Sequence, residues 1–150
     1  MTIIILSAYD YSEIEAEARE AGVDEFIAKP LFRSRLTATL KNIIEGKPNK
    51  EANIETAENG KEAVEKFANA PSGFYDLIFM DIHMPVMNGY EATAAIRSHR
   101  KYREKQIPII AMTANAFAED VVKAKNAGMK EHIAKPLEMN RLCEIMQRYL

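Results

Sequence analysis

The sequence predicts an α/β fold built on a doubly wound parallel sheet. Three observations carry that prediction. Short β-branched runs alternate with helix-length amphipathic segments along the whole chain. Thr2–Leu6 reads as a buried strand and Asp76–Met80 as an apolar one, as strands of a parallel sheet with helices on both faces do. The chain also repeats itself at an offset of 106 residues, so one strand–helix–strand–helix unit is written twice.

Taken in order, Thr2-Ile3-Ile4-Ile5-Leu6 reads as a buried strand, and residues 11–21 as a helix stopped by Gly22. Glu25-Phe26-Ile27-Ala28 is the next strand. The helix after Lys29-Pro30 carries Leu36, Leu40, Ile43 and Ile44 on one face. Gly46-Lys47-Pro48-Asn49-Lys50 reads as a linker. Asn53 to Thr56 is a short strand, Asn59-Gly60 a turn, and the following helix turns Ala63, Val64, Phe67 and Ala68 inward. Asp76 to Met80 is an apolar strand ending at Asp81. A helix from about Tyr90 to Ser98, the strand Pro108 to Met112 and a helix ending near Gly128 follow. The strand Glu131 to Ala134 comes next, and a last helix has Leu142, Ile145, Met146 and Tyr149 on one face.

Composition narrows the function classes. At 150 residues and 47% apolar, the chain can bury one good core. The net charge is −2, so no single-sign field suggests nucleic acid or an anionic membrane as a partner. The apolar runs are too short to span a bilayer, and no basic segment precedes Met1–Leu6 as in a secretory signal. The lone cysteine, Cys143, excludes an internal disulfide and fits a cytoplasmic protein, with the thiol expected in the core.

The repeat is ungapped. Ile3-Ile4 matches Ile109-Ile110, Ser7-Ala8 matches Thr113-Ala114, and Ala21-Gly22 matches Ala127-Gly128. Ile27-Ala28-Lys29-Pro30-Leu31 matches Ile133-Ala134-Lys135-Pro136-Leu137, and Arg35-Leu36 matches Arg141-Leu142. Duplication is the plain explanation.

In doubly wound sheets, chemistry collects at the carboxyl ends of the strands. Asp81, Thr113 and Lys135 all fall at such ends. A carboxylate there can attack phosphorus, and a hydroxyl and an ammonium can hold phosphoryl oxygens. Each residue also has a plain structural use: Asp as a cap, Thr as packing, Lys as a solvated charge. Three together favour a site without naming its reaction.

The run Met80-Asp81-Ile82-His83-Met84-Pro85-Val86-Met87-Asn88-Gly89-Tyr90, followed by Met112-Thr113-Ala114 and Ala134-Lys135-Pro136, resembles response-regulator receiver domains. It is most similar to the receivers of hybrid sensor histidine kinases. The resemblance implies a flavodoxin-like fold, Asp81 as phosphoacceptor and a partial Mg²⁺ ligand, Thr113 as switch hydroxyl, and Lys135 as the ion-pair partner. His132 would take the position that is often an aromatic switch residue. Residues 1–46 resemble the C-terminal half of one receiver, with Ser7, Phe26 and Lys29 in the switch and lysine positions. Residues 47–51 are the linker, and residues 52–150 resemble a receiver lacking its first strand and helix.

The family carries two adjacent acids at the end of its first strand to help hold Mg²⁺. No such pair stands at a strand end here; Asp24-Glu25 and Glu119-Asp120 belong to a strand entry and a helix. Weak Mg²⁺ binding and weak phosphotransfer are therefore expected. The chain is either a piece of a longer multi-receiver protein or one merged domain 1–150. The merged arrangement, the favoured reading, uses Glu25–Ala28 as central first strand and residues 31–45 as first helix. It adds residues 2–6 as an extra edge strand and sets Lys29-Pro30 where the acids normally stand.

Three functions compete. The first is a phosphorelay receiver, itself no enzyme, taking phosphate from a histidine kinase or histidine phosphotransfer protein. The second is a degenerate receiver used for interaction, self-association included. The third is an unrelated binder of a nucleotide or flavin, disfavoured because Gly60, Gly73 and Gly89 are scattered and form no phosphate loop.

Overall fold

In the computed structural model, residues 2–6, 38, 40–45, 53–114, 118–135 and 138–150 are described, the first five as backbone. Five strands form one parallel sheet: β1 Thr2–Leu6, β2 Asn53–Ala57, β3 Leu77–Asp81, β4 Ile109–Thr113 and β5 Glu131–Ala134. Their spatial order is β2-β1-β3-β4-β5. The described helical residues 38 and 40–45 belong to α1. The other helices are α2 Gly60–Asn69, α3 Gly89–Ser98, α4 Arg100–Glu104, α5 Ala118–Ala127 and α6 Met139–Tyr149.

The central place belongs to Thr2–Leu6. Ile3 pairs with Ile54 on one side and with Leu77 on the other, and Leu6 with Ala57 and Met80. This corrects the expectation of an edge strand at residues 2–6 and a central one at Glu25–Ala28. A strand bonded along both edges in a parallel sheet is expected to be apolar, and the sequence Ile3-Ile4-Ile5-Leu6 fits that place. Glu25–Ala28, which carries a charge, lies outside the described residues, as do Ser7, Phe26 and Lys29. Lys29-Pro30 therefore does not follow the central strand. In sequence, Ser7-Ala8-Tyr9-Asp10 does, and it contains no adjacent acids.

β3 shows how the two layers are organised. Ile78 and Met80 face a cluster with Ala63 and Phe67 of α2 and Ala92 and Ile96 of α3. Leu77 and Phe79 face the other cluster, made with Leu40 and Ile44 of α1 and Leu142, Ile145 and Met146 of α6. All five residues of β3 are buried, as are all five of β4. The period of two along each strand thus feeds two cores.

Asn59 is not a turn residue but the N-cap of α2, its side chain accepting from Glu62 N at 2.9 Å. The short α4 was not anticipated, because one helical turn is too brief to show a period. It buries Tyr102, while Lys101 Nζ reaches back to the carbonyls of Ala68, in the last turn of α2, and of Ala70, its C-cap. Cys143 is half-buried rather than in the core, sitting beside Leu142 on the flank of α6.

Leu40 is fully buried. Leu40→Ala should lower the unfolding free energy by about 3 kcal/mol in urea denaturation, as truncation of a packed core leucine does. A loss under about 0.5 kcal/mol, the scale of a surface change, would detach α1 from this core.

Candidate functional site at the carboxyl edge of the sheet

Three adjacent strands deliver Asp81, Thr113 and Lys135 to one place. Asp81 ends β3 opposite Met112, and Thr113 ends β4 opposite Ala134, the residue before Lys135. The ladder continues one step further, because Lys135 N donates to Thr113 O at 2.7 Å. Lys135 Nζ then reaches Asp81 Oδ2 at 2.6 Å. The residue types expected at the site are therefore brought together by the register of the sheet itself.

The pair is buried unequally. Asp81 has a side chain 1% exposed and Lys135 one 14% exposed. Burial, the largest effect, raises the Asp81 carboxyl above the ordinary aspartate range, against the opposing pull of the Lys135 ammonium and the His83 N–H. That N–H donates to Asp81 Oδ1 at 3.2 Å, a contribution the side-chain pattern could not reveal. Thr113 Oγ1 is buried and has no hydrogen-bond partner among the described residues. A hydroxyl left so costs on the order of 1–3 kcal/mol, so the place beside it suits a ligand rich in acceptor oxygens.

The loop from Ile82 to Asn88 is fixed at both ends. Ile82 N donates to Met112 O at 3.2 Å, and Gly89 N donates to Ile82 O at 2.9 Å. Gly89 has to be glycine, since a Cβ there would stand 2.3 Å from Asp81 O. Asn88 caps α3: its side chain accepts from Glu91 N at 2.9 Å, while Glu91 Oε2 accepts from Asn88 N at 3.0 Å. The Asn-x-x-Glu spacing at 59–62 and 88–91 is the signal that a turn reading of both Asn-Gly pairs passed over. Within the loop, Met87 N donates to Pro85 O at 2.7 Å across Val86, whose φ is 67°. A γ-turn at positive φ is strained for a β-branched residue, by about 1–3 kcal/mol, and it leaves Val86 78% exposed.

His132 is half-buried on β5 opposite Ala111, two residues before the strand ends. The described donor set does not fit Mg²⁺, which takes about six oxygen ligands in a near-octahedral shell. Asp81 is the carboxylate here, its Oδ2 is already bonded to Lys135, and no group of three acidic, His or Cys side chains gathers among the described residues. No described helix is long and apolar enough to cross a membrane.

Comparison with known proteins identifies the family and the fold. The pattern of the family described as the response regulator receiver domain matches residues 33–147. Signal transduction histidine-protein kinase BarA of Escherichia coli is 41% identical over 96 residues, 64% of this chain and 10% of that protein. Hybrid signal transduction histidine kinase L of Dictyostelium discoideum is 36% identical over 97 residues, 64% of this chain and 6% of its own length. The chain thus spans about a tenth or less of either relative. Among solved structures, the receiver domain of a Pseudomonas aeruginosa sensor histidine kinase superposes with a TM-score of 0.71 at 28% identity. The match covers 99% of this chain and 95% of that one, whose active site cleft holds a coordinated magnesium ion. A chemotaxis protein of Vibrio cholerae shares the fold, with a TM-score of 0.70 at 24% identity over 99% of this chain and 98% of that one.

The raised Asp81 pKa sets a pH dependence. A carboxyl that binds its proton more tightly folded than unfolded favours the folded state at low pH, and that contribution disappears as pH rises through its folded pKa. The stability of the wild type relative to Asp81→Asn should therefore increase as pH falls from 7 towards 4, measured by urea denaturation at each pH. A difference moving the other way would mean that the pull of Lys135 outweighs burial.

Proposed function

The chain belongs to the response regulator receiver domain family, and on that premise we propose that it is a cytoplasmic phosphorelay receiver accepting a phosphoryl group on Asp81. The observation that carries the proposal is the Asp81–Lys135 contact beside the unpartnered hydroxyl of Thr113. The donor would be the phosphohistidine of a histidine kinase or of a histidine phosphotransfer protein. The related kinases support such a source, as does a structural neighbour, a Saccharomyces cerevisiae receiver crystallised with a histidine phosphotransfer protein.

In the proposed step, a carboxylate oxygen of Asp81 attacks phosphorus and the P–N bond to the donor imidazole breaks. The bonding pair leaves on the ring nitrogen, which takes up a proton. Charge spreads over the phosphoryl oxygens during transfer, and preorganised donors aimed at those oxygens supply the stabilisation. Lys135 and Thr113 would be those donors, Lys135 neutralising charge and Thr113 gaining the acceptor its hydroxyl now lacks. Thr113 would carry the change to the partner-binding surface, with His132 on the neighbouring strand as the second switch position. In this scheme Asp81 must be ionised, so its raised pKa makes transfer fall away at a higher pH than for an ordinary aspartate.

A second reading keeps the fold without the transfer: a receiver used as an interaction module. The observation favouring it is that, among the described residues, no group of three acidic, His or Cys side chains gathers around Asp81, whereas the Pseudomonas relative holds a magnesium ion.

Incubation with a small phosphodonor and Mg²⁺, followed by intact-mass analysis, separates the two. The relay reading expects one added phosphoryl group on the wild type and none on Asp81→Asn. It also expects a rate lowered by about 10²-fold in Lys135→Ala, the usual effect of removing one transition-state donor. An unmodified wild type that remains folded would leave the interaction module as the function.

A further inference from the structure

Parallel strands require each connecting helix to run back from the carboxyl edge of the sheet to its amino edge. α2, α3 and α5 begin with the acids Glu62, Glu91, Glu119 and Asp120. α3 and α5 end with the bases Arg97 and Lys125, and α4, which follows α3, adds Lys101 and Arg103. Each charge suits the dipole of its own helix. Because these helices share one direction, the charges also add across the domain. The edge that carries Asp81 is acidic, the opposite one is basic, and the net charge of −2 hides the difference.

The basic edge is built rather than scattered. Arg97 Nη1 donates to Ala127 O at 3.2 Å, and its guanidinium lies 5.8 Å from the centre of the Tyr102 ring. Gly128 leaves room for it, since a Cβ there would stand 1.3 Å from Arg97 Nη1. Arg97, Arg103, Lys125 and Lys130 are exposed and form no ion pair among the described residues. Arg100, 88% exposed, has a 3.5 Å contact to Glu104, and Lys105 meets Asp76 at 2.7 Å. Beside them Phe67, Phe74, Tyr75 and Ile107 line a small hollow together with Lys101 and Lys105. Like charges gathered at one edge repel, and an anionic ligand relieves that repulsion.

We propose that this amino edge is a docking surface for an acidic protein segment, its carboxylates on the exposed cations and an aliphatic side chain at the hollow. Other polyanions fit less well. Single-stranded nucleic acid is gripped by exposed rings as well as by charge, and Phe67, Tyr75 and Tyr102 are buried. A duplex offers a continuous row of phosphates, whereas Asp76 and Glu104 interrupt the cations here. Docking on a bilayer needs exposed apolar side chains beside the bases. Among the described residues the large exposed ones are Val86, after β3 at the opposite edge, and Val122, midway along α5. The surface lies across the sheet from Asp81, so an occupant leaves the phosphoacceptor edge free, and the proposal does not depend on phosphotransfer.

The test is fluorescence anisotropy with a labelled oligoglutamate peptide carrying a central leucine. The proposal predicts saturable binding at about 20 mM salt, weakened at least about 10-fold at about 200 mM, where exposed charges are screened. Reversing two exposed cations together, Arg100→Glu with Arg103→Glu, should weaken binding at least about 10-fold. Lys61→Glu, an exposed reversal in the first turn of α2 at the opposite edge, should change it by less than about 2-fold. Binding that is absent, indifferent to salt, or reduced equally by both reversals overturns the proposal. Tighter binding of an oligothymidylate of equal charge, or of phosphatidylserine vesicles, overturns it in favour of that polyanion. Self-association of the protein alone at low salt, lost in the double reversal, assigns the edge to a second copy instead. Should the double variant not fold, the salt series on the wild type with the three probes decides.

Discussion

Everything in this fold depends on five residues at the start of the chain entering the middle of the sheet. Without Thr2–Leu6, β2 has no partner and β3 has one, so the edge opposite β4 would stand open. With it, the sheet is continuous from β2 to β5, and α1 and α6 have one surface to cover with Leu40, Ile44, Leu142, Ile145 and Met146. The backbone ladder does this work, along a run that is aliphatic from Ile3 to Leu6.

The sheet in turn fixes the site. Asp81, Thr113 and Lys135 sit at the ends of β3, β4 and β5, so their separation is a matter of register rather than of loop conformation. Two opposing effects then act on Asp81. Burial disfavours its charge, the Lys135 ammonium favours it, and burial is the stronger. A carboxylate kept in that balance is held in place but not wholly neutralised. The loop beside it is pinned at Gly89 and strained at Val86.

Much of this was legible in the sequence. The run Leu77 to Met80 announces β3 as an apolar strand with Asp81 at its end, and the shorter Glu131 to Ala134 places Lys135 just past β5. Less legible was which strand would lie in the centre. Local pattern identifies Thr2–Leu6 as a buried strand but says nothing of its neighbours, because pairing partners lie about 50 or more residues away and are chosen by tertiary packing. Assigning the centre to Glu25–Ala28 put chain order ahead of burial, and the fully aliphatic strand is the better occupant. The His83 N–H at Asp81 and the one-turn α4 escaped for a different reason: neither leaves a side-chain period to read.

The most direct test of the central claim is native-state hydrogen exchange followed by mass spectrometry, resolved to peptides covering Thr2–Leu6 and Leu77–Asp81. A strand bonded on both edges should exchange only with global unfolding, so the account predicts protection of Ile3 to Leu6 equal to that of β3 within about tenfold. Exchange of the first peptide at the rate of an unfolded chain, with β3 still protected, would contradict it.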